Sequence, residues 1–134
     1  LEPGSWLCAG DMAAIPLRDG AVDAAVCCAA LHHVPDWRTA LQEVHRVLRP
    51  GGVLVMQEPG RGHRKQAESI SQMEQFGVLE QDLPPRALAR ACRAAGFTRA
   101  VVRPVAWTAA PSTLSIKRRI SPTSSASPTL DAWT

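Results

Sequence analysis

Apolar positions change period along the first half of the chain. Val22-Asp23-Ala24-Ala25-Val26-Cys27-Cys28 is a run of strand length broken by a single charge. Trp37, Ala40, Leu41, Val44, Val47 and Leu48 then recur at three- and four-residue steps, the spacing of one helix face. Val53-Leu54-Val55-Met56 is apolar again at consecutive positions and closes on Gln57-Glu58-Pro59. Strand, helix, strand, with both strands almost continuously apolar, predicts a βαβ crossover in a parallel sheet covered on both faces. In such sheets ligands sit outside the carboxyl ends of the strands. Chemistry is therefore expected at residues 29–33 and 57–61.

Punctuation along the chain supports these elements. Asp36 is placed to cap the helix, and Arg49-Pro50-Gly51-Gly52 to stop it. Residues 6–9 form a brief apolar run after the turn signal Pro3-Gly4 and read as the tail of a strand. Ala67, Ile70, Met73 and Phe76 recur every three residues until Gly77, which predicts a second helix. Pro84-Pro85 opens a third, running to Ala95 with Gly96 as its stop; Leu88, Ala91, Cys92 and Ala95 face inward, and Arg86, Arg90 and Arg93 face water. Residues 100–105 and 114–117 can return as an antiparallel strand pair. From Ser121 to Thr134 the composition turns to Ser, Thr, Pro and Ala, and a disordered tail is expected. His45 falls on the polar side of the first helix, as a solvated residue.

Five short pieces in order carry a family resemblance: Gly10-Asp11-Met12, Ile15-Pro16-Leu17-Arg18-Asp19, Asp23, Leu31-His32-His33-Val34, and Glu43-Val44-His45-Arg46-Val47-Leu48-Arg49-Pro50-Gly51-Gly52. Together they resemble the class I S-adenosylmethionine-dependent methyltransferases, in the broad small-molecule group called type 11. The resemblance implies an α/β, Rossmann-like, doubly wound and mostly parallel sheet ending in an antiparallel pair. Residues 1–120 are expected to be the C-terminal two-thirds of that domain. The family's glycine-rich turn and the acidic residue that holds the ribose find no counterpart here, so the chain is read as N-terminally truncated. It would begin inside the third strand of the order 3-2-1-4-5-7-6. Such a piece would bind cofactor weakly and expose an apolar strand edge open to self-association.

The resemblance also implies roles. S-adenosyl-L-methionine would be the cofactor, with Asp11 accepting from the adenine amine and Met12 packing on the ring. Ala29, Ala30, Leu31 and His32 would surround its methionine portion. His33, Glu58, Arg61 and His63 would face a small-molecule acceptor, and His32 or His33 can serve as a general base. Alternatively, Asp11 caps the following turn while Met12 joins the core, and the histidines cap backbone groups or face solvent. Asp23 is structural in this reading, and the basic groups at residues 61–65 suit either an anionic substrate group or solvent.

Composition narrows the classes. The chain has 134 residues, 46% hydrophobic and 20% charged, with a net charge of +3. That is ordinary for one domain and argues against nucleic-acid binding. No apolar run approaches the ~18 residues of a membrane span. Cys8, Cys27, Cys28 and Cys92 show no ligand spacing, so no metal site is read from the sequence; three of them lie in apolar runs, and buried free thiols in a reducing cytoplasm are expected. A nicotinamide-dependent oxidoreductase is disfavoured by the lack of any tyrosine and of a glycine fingerprint. A catalytically dead partner module retaining a half-fold is the alternative from another class.

Overall fold

A computed structural model describes residues 7–107 and 110–116. Its centre is the expected crossover: β1 (Val22–Cys28), α1 (Trp37–Val47) and β2 (Leu48–Pro59). The two strands pair in parallel from Ala24↔Val53 to Cys28↔Gln57. Asp36 caps α1, its Oδ1 accepting from the Thr39 amide at 3.1 Å and its Oδ2 from the Thr39 hydroxyl at 2.7 Å. The helix stops at Val47 and β2 starts at once, turning through Gly51 at φ +86°. At Gly52 a Cβ would lie 2.9 Å from the Arg49 carbonyl and 3.1 Å from that of Asp23, so the backbone of β1 closes on β2 only over glycine.

Burial along the strands is one-sided. Leu54, Met56 and Glu58 of β2 point inward with Cys27 of β1, whereas Val53, Val55 and Gln57 are half-buried and Val26 is 73% exposed. Leu41 and Val44 of α1 and Leu88 and Cys92 of α3 (Pro85–Ala94) join Leu54, Met56, Leu83 and Phe97 in one core. Among the described residues these helices cover one face of the pair. The expected cover on both faces is corrected accordingly: β2 follows the period of a half-buried strand although its residues are apolar on both sides.

The third predicted helix starts and stops as its proline and glycine require, and its arginines are exposed. Its stop is unusually constrained. Gly96 has φ +105°, and a Cβ there would meet the His45 ring at 2.7 Å. His45 itself packs edge-on against Phe97 with ring centroids 5.0 Å apart, so it is a half-buried packing residue and not the solvated one expected. Gly96→Ala is therefore expected to destabilise the fold by about 1–3 kcal/mol, from strained backbone and overpacking together. A shift in the urea midpoint at unchanged slope checks it.

α2 (Ala67–Phe76) forms and ends at Gly77 with φ +64°, yet Phe76 is 72% exposed and Ile70 40%. Three-residue steps fall short of the helical repeat, so this apolar row winds around the helix and never makes a single buried face.

β3 (Val102–Trp107) and β4 (Ala110–Ile116) run antiparallel. β4 inserts beside β2, pairing Gln57↔Ser115, Glu58↔Leu114 and Pro59↔Thr113. The sheet order β1-β2-β4-β3 is the 4-5-7-6 end of the order expected. Residues 7–10 carry no strand, correcting the strand tail read there: Leu7 is 82% exposed and only an isolated bridge, Asp11↔Ala14, closes the turn that follows. β1 is the edge of this sheet among the described residues. Trp6 of the run 6–9, Lys117 of the last predicted strand and the tail 121–134 lie outside the described residues.

Candidate functional site

The carboxyl ends of β1 and β2 meet through one side chain. Glu58 shares the inward parity of Leu54 and Met56, which carries its carboxylate into the core at 1% exposure. There its Oε1 accepts from the amides of Ala30 at 3.1 Å and Leu31 at 2.9 Å and from Cys27 Sγ at 3.3 Å. Its Oε2 accepts from the His32 amide at 3.3 Å and lies 2.7 Å from His32 Nδ1. Burial pushes the Glu58 carboxyl up, but hydrogen bonds from His32, Leu31, Ala30 and Cys27 outweigh it and hold it below the ordinary carboxylate range. Glu58 thus nails the loop after β1 onto the end of β2. The carboxylate expected to face an acceptor instead faces inward.

The loop it holds makes one tight helical turn, Leu31–His33. Ala29 enters it at φ +48°, a left-handed conformation rare outside glycine, with its amide donating to the Gln57 carbonyl at 2.7 Å. Ala29 is exposed and Ala30 half-buried, so the loop offers small side chains to the exterior while its amides are engaged within.

Three histidines close around a second carboxylate. The connector between α2 and α3 drops Glu80 into the site at 7% exposure. His63 Nε2 lies 2.8 Å from Glu80 Oε2, His32 Nε2 3.6 Å from the same oxygen, and His33 Nδ1 3.8 Å from Oε1. His33 Nδ1 donates to the Leu79 carbonyl at 2.7 Å. Gln81 donates to the Val34 carbonyl at 2.8 Å, and Asp82 accepts from the amides of Gly62 and Arg64. The strap 79–82 therefore ties both strand-end loops together. His32 is 3% exposed, whereas the His33 side chain is 38% exposed and opens the cluster to solvent. Arg61 is exposed beside it in sequence but takes no part in these contacts.

Asp11 accepts from the Ala13 amide through Oδ1 at 2.8 Å while remaining exposed, and Met12 packs half-buried against the core with Ile15. What fixes this segment is a pair the sequence reading passed over. Glu43 Oε2 accepts from the Ile15 amide at 3.0 Å, and Arg46 donates to the carbonyls of Ile15 and Leu17 and to Asp19. The two also bond each other, Arg46 Nε to Glu43 Oε1 at 2.7 Å. The connector is clamped to α1 by one turn of that helix. Asp23 pairs with Arg49 at the surface, in the structural role expected of it. A separate groove of about 310 Å³, lined by Arg38, Gln42, Ala87 and Arg90 among others, lies between α1 and α3 and shares no residue with the histidine cluster.

Comparison with known proteins places this arrangement. Residues 2–56 match the family described as a methyltransferase domain. The chain is 29% identical over 130 residues to the demethylmenaquinone methyltransferase of Geobacillus stearothermophilus, covering 81% of this chain and 56% of that one. An S-adenosylmethionine-dependent methyltransferase from Mesorhizobium loti superposes with a TM-score of 0.69 at 19% identity, over 82% of this chain and 67% of that one. These matches are to S-adenosylmethionine-dependent methyltransferases, whose fold this chain shares. An uncharacterized transposon protein of Streptomyces fradiae is 54% identical over 50 residues, covering 37% of this chain and 14% of that protein. The chain spans less than two-thirds of the length of these curated relatives. Neither the oxidoreductase reading nor the dead-module reading is favoured by these matches. Among the described residues no helix is long and apolar enough to cross a membrane.

The residues present fit the family's cofactor at two points. Asp11 offers an exposed carboxylate beside a half-buried thioether, a pairing suited to an amine-bearing aromatic ring. Ala29 and Ala30 offer a loop without bulk at the parallel strand tips, where a ligand can come close to the loop backbone.

Proposed function

We propose that this chain is the acceptor-proximal part of a cytoplasmic enzyme that methylates a small molecule. The observation that carries the reading is the loop 29–33, held rigid by Glu58 at the tips of β1 and β2. Bound S-adenosylmethionine supplies an activated methyl group, so the chain's own contribution is placement and exclusion of water. Asp11 and Met12 hold the adenine. Ala29, Ala30, Leu31 and His32 line the methionine portion, with Leu31 and His32 supporting from beneath. His33, at the open side of the cluster, meets the acceptor and can take its proton; His63 and Arg61 flank that entrance. Glu58 acts through the loop, as a positioning residue.

Two measurements test this. Photocrosslinking to labelled S-adenosylmethionine is expected to mark the chain, and Asp11→Ala to lower the yield roughly tenfold, as loss of a charge-assisted hydrogen bond would. Undiminished labelling removes the adenine role. Incubation with methyl-labelled donor and a panel of thiols, phenols and amines is expected to leave the label in the small-molecule fraction. Label recovered in RNA or protein sinks the small-molecule reading.

A further inference from the structure

We propose that His32, His33 and Glu80 form a binding site for a divalent transition metal, a zinc-class ion with nitrogen and oxygen ligands. One ligand atom from each residue lies within 4.8 Å of the others. The individual separations, 3.6 Å from His32 Nε2 and 3.8 Å from His33 Nδ1 to the Glu80 carboxylate, are close to the ~3.4 Å edge that Zn–N bonds of about 2.0–2.1 Å impose on a tetrahedron.

Two independent features point to an ion and not merely to three neighbours. First, His32 is pre-set as a ligand. The buried Glu58 carboxylate can only accept, so the contact at 2.7 Å places a proton on Nδ1 and leaves Nε2 as the ring nitrogen that faces Glu80. A carboxylate behind a histidine is the usual outer support of a metal-bound imidazole. Second, among the described ion pairs only histidines meet the two carboxylates. Two carboxylates at 1% and 7% exposure face the two nitrogens of one ring, and among the described ion pairs neither is joined by a lysine or arginine. A divalent cation between Glu80 and the rings balances them.

Two histidines and one carboxylate are a ligand set that leaves a fourth position open. Here that position lies on the side of His33, the half-exposed member. His63, hydrogen-bonded to Glu80 Oε2 at 2.8 Å, steadies the carboxylate from outside. Binding releases the Leu79 carbonyl from His33 Nδ1, or engages the ring through its other nitrogen. The site does not depend on the methyl-transfer reading; with an ion bound, His33 is a ligand and no longer the base that takes the acceptor's proton.

The test uses the whole chain carrying Cys8→Ser and Cys28→Ser, since both of those thiols are exposed and would compete for metal. Titration with Co²⁺ is expected to raise visible d–d bands at one equivalent, and Zn²⁺ to displace them. Glu80→Gln and His33→Ala should each weaken Zn²⁺ binding at least ~10-fold. Because His33 is half-exposed, its variant keeps the native circular dichroism and decides the matter if Glu80→Gln does not fold. Absence of the bands, or equal affinity in a folded His33→Ala variant, overturns the proposal.

Discussion

Glu58→Ala is expected to lower stability by about 3–5 kcal/mol, the usual result of removing one partner from a buried charged network. Three loop amides and His32 Nδ1 lose their acceptor at once, and each buried donor left unmade costs about 1–3 kcal/mol. Partial access of water to the loosened loop keeps the total below the sum. Glu58→Gln retains the volume but turns an amide NH₂ toward donors, so it is expected to recover only part of the loss. Urea unfolding measures both, and hydrogen exchange at residues 30–32 should accelerate even under native conditions. A loss under 1 kcal/mol for the alanine variant would mean that the loop holds its shape without this carboxylate.

The second large effect separates two adjacent residues. Cys27 and Cys28 alternate across β1, so one thiol enters the core and the other faces solvent. Burial, then the neighbouring Glu58 charge, pushes the Cys27 thiol up to about 12. At pH 8 roughly one Cys27 in ten thousand is then thiolate. Cys92, raised by burial to about 11, is protected in the same way. Maleimide at pH 8 is therefore expected to modify Cys8 and Cys28 quickly and Cys27 and Cys92 at least ~100-fold more slowly. Four fast thiols would place Cys27 outside the core and remove its hydrogen bond to Glu58.

These two outcomes mark what could be read from sequence. The crossover was legible because Asp36, Pro50-Gly51-Gly52 and the changes of apolar period are local signals, and the structure answers them within a residue or two. The inward turn of Glu58 was legible in principle as well: it shares parity with Leu54 and Met56, a signal masked because both faces of β2 are apolar. Glu80 was not legible. It enters the site from a connector with no regular periodicity, and its partners His32, His33 and His63 lie 17 or more residues away. The clamp of Glu43 and Arg46 on residues 15–19 was hidden for the same reason, since i,i+3 charges on a helix ordinarily face water. Position, rather than residue type, separates these groups from surface charge.

The most direct test of the central reading is amide chemical-shift mapping with S-adenosylhomocysteine. Shifts are expected at Asp11 and Met12 and, at the tips of β1 and β2, at Ala29, Ala30 and Leu31. Shifts confined to the groove between α1 and α3, at Arg38, Gln42, Arg90 and Ala91, would contradict it.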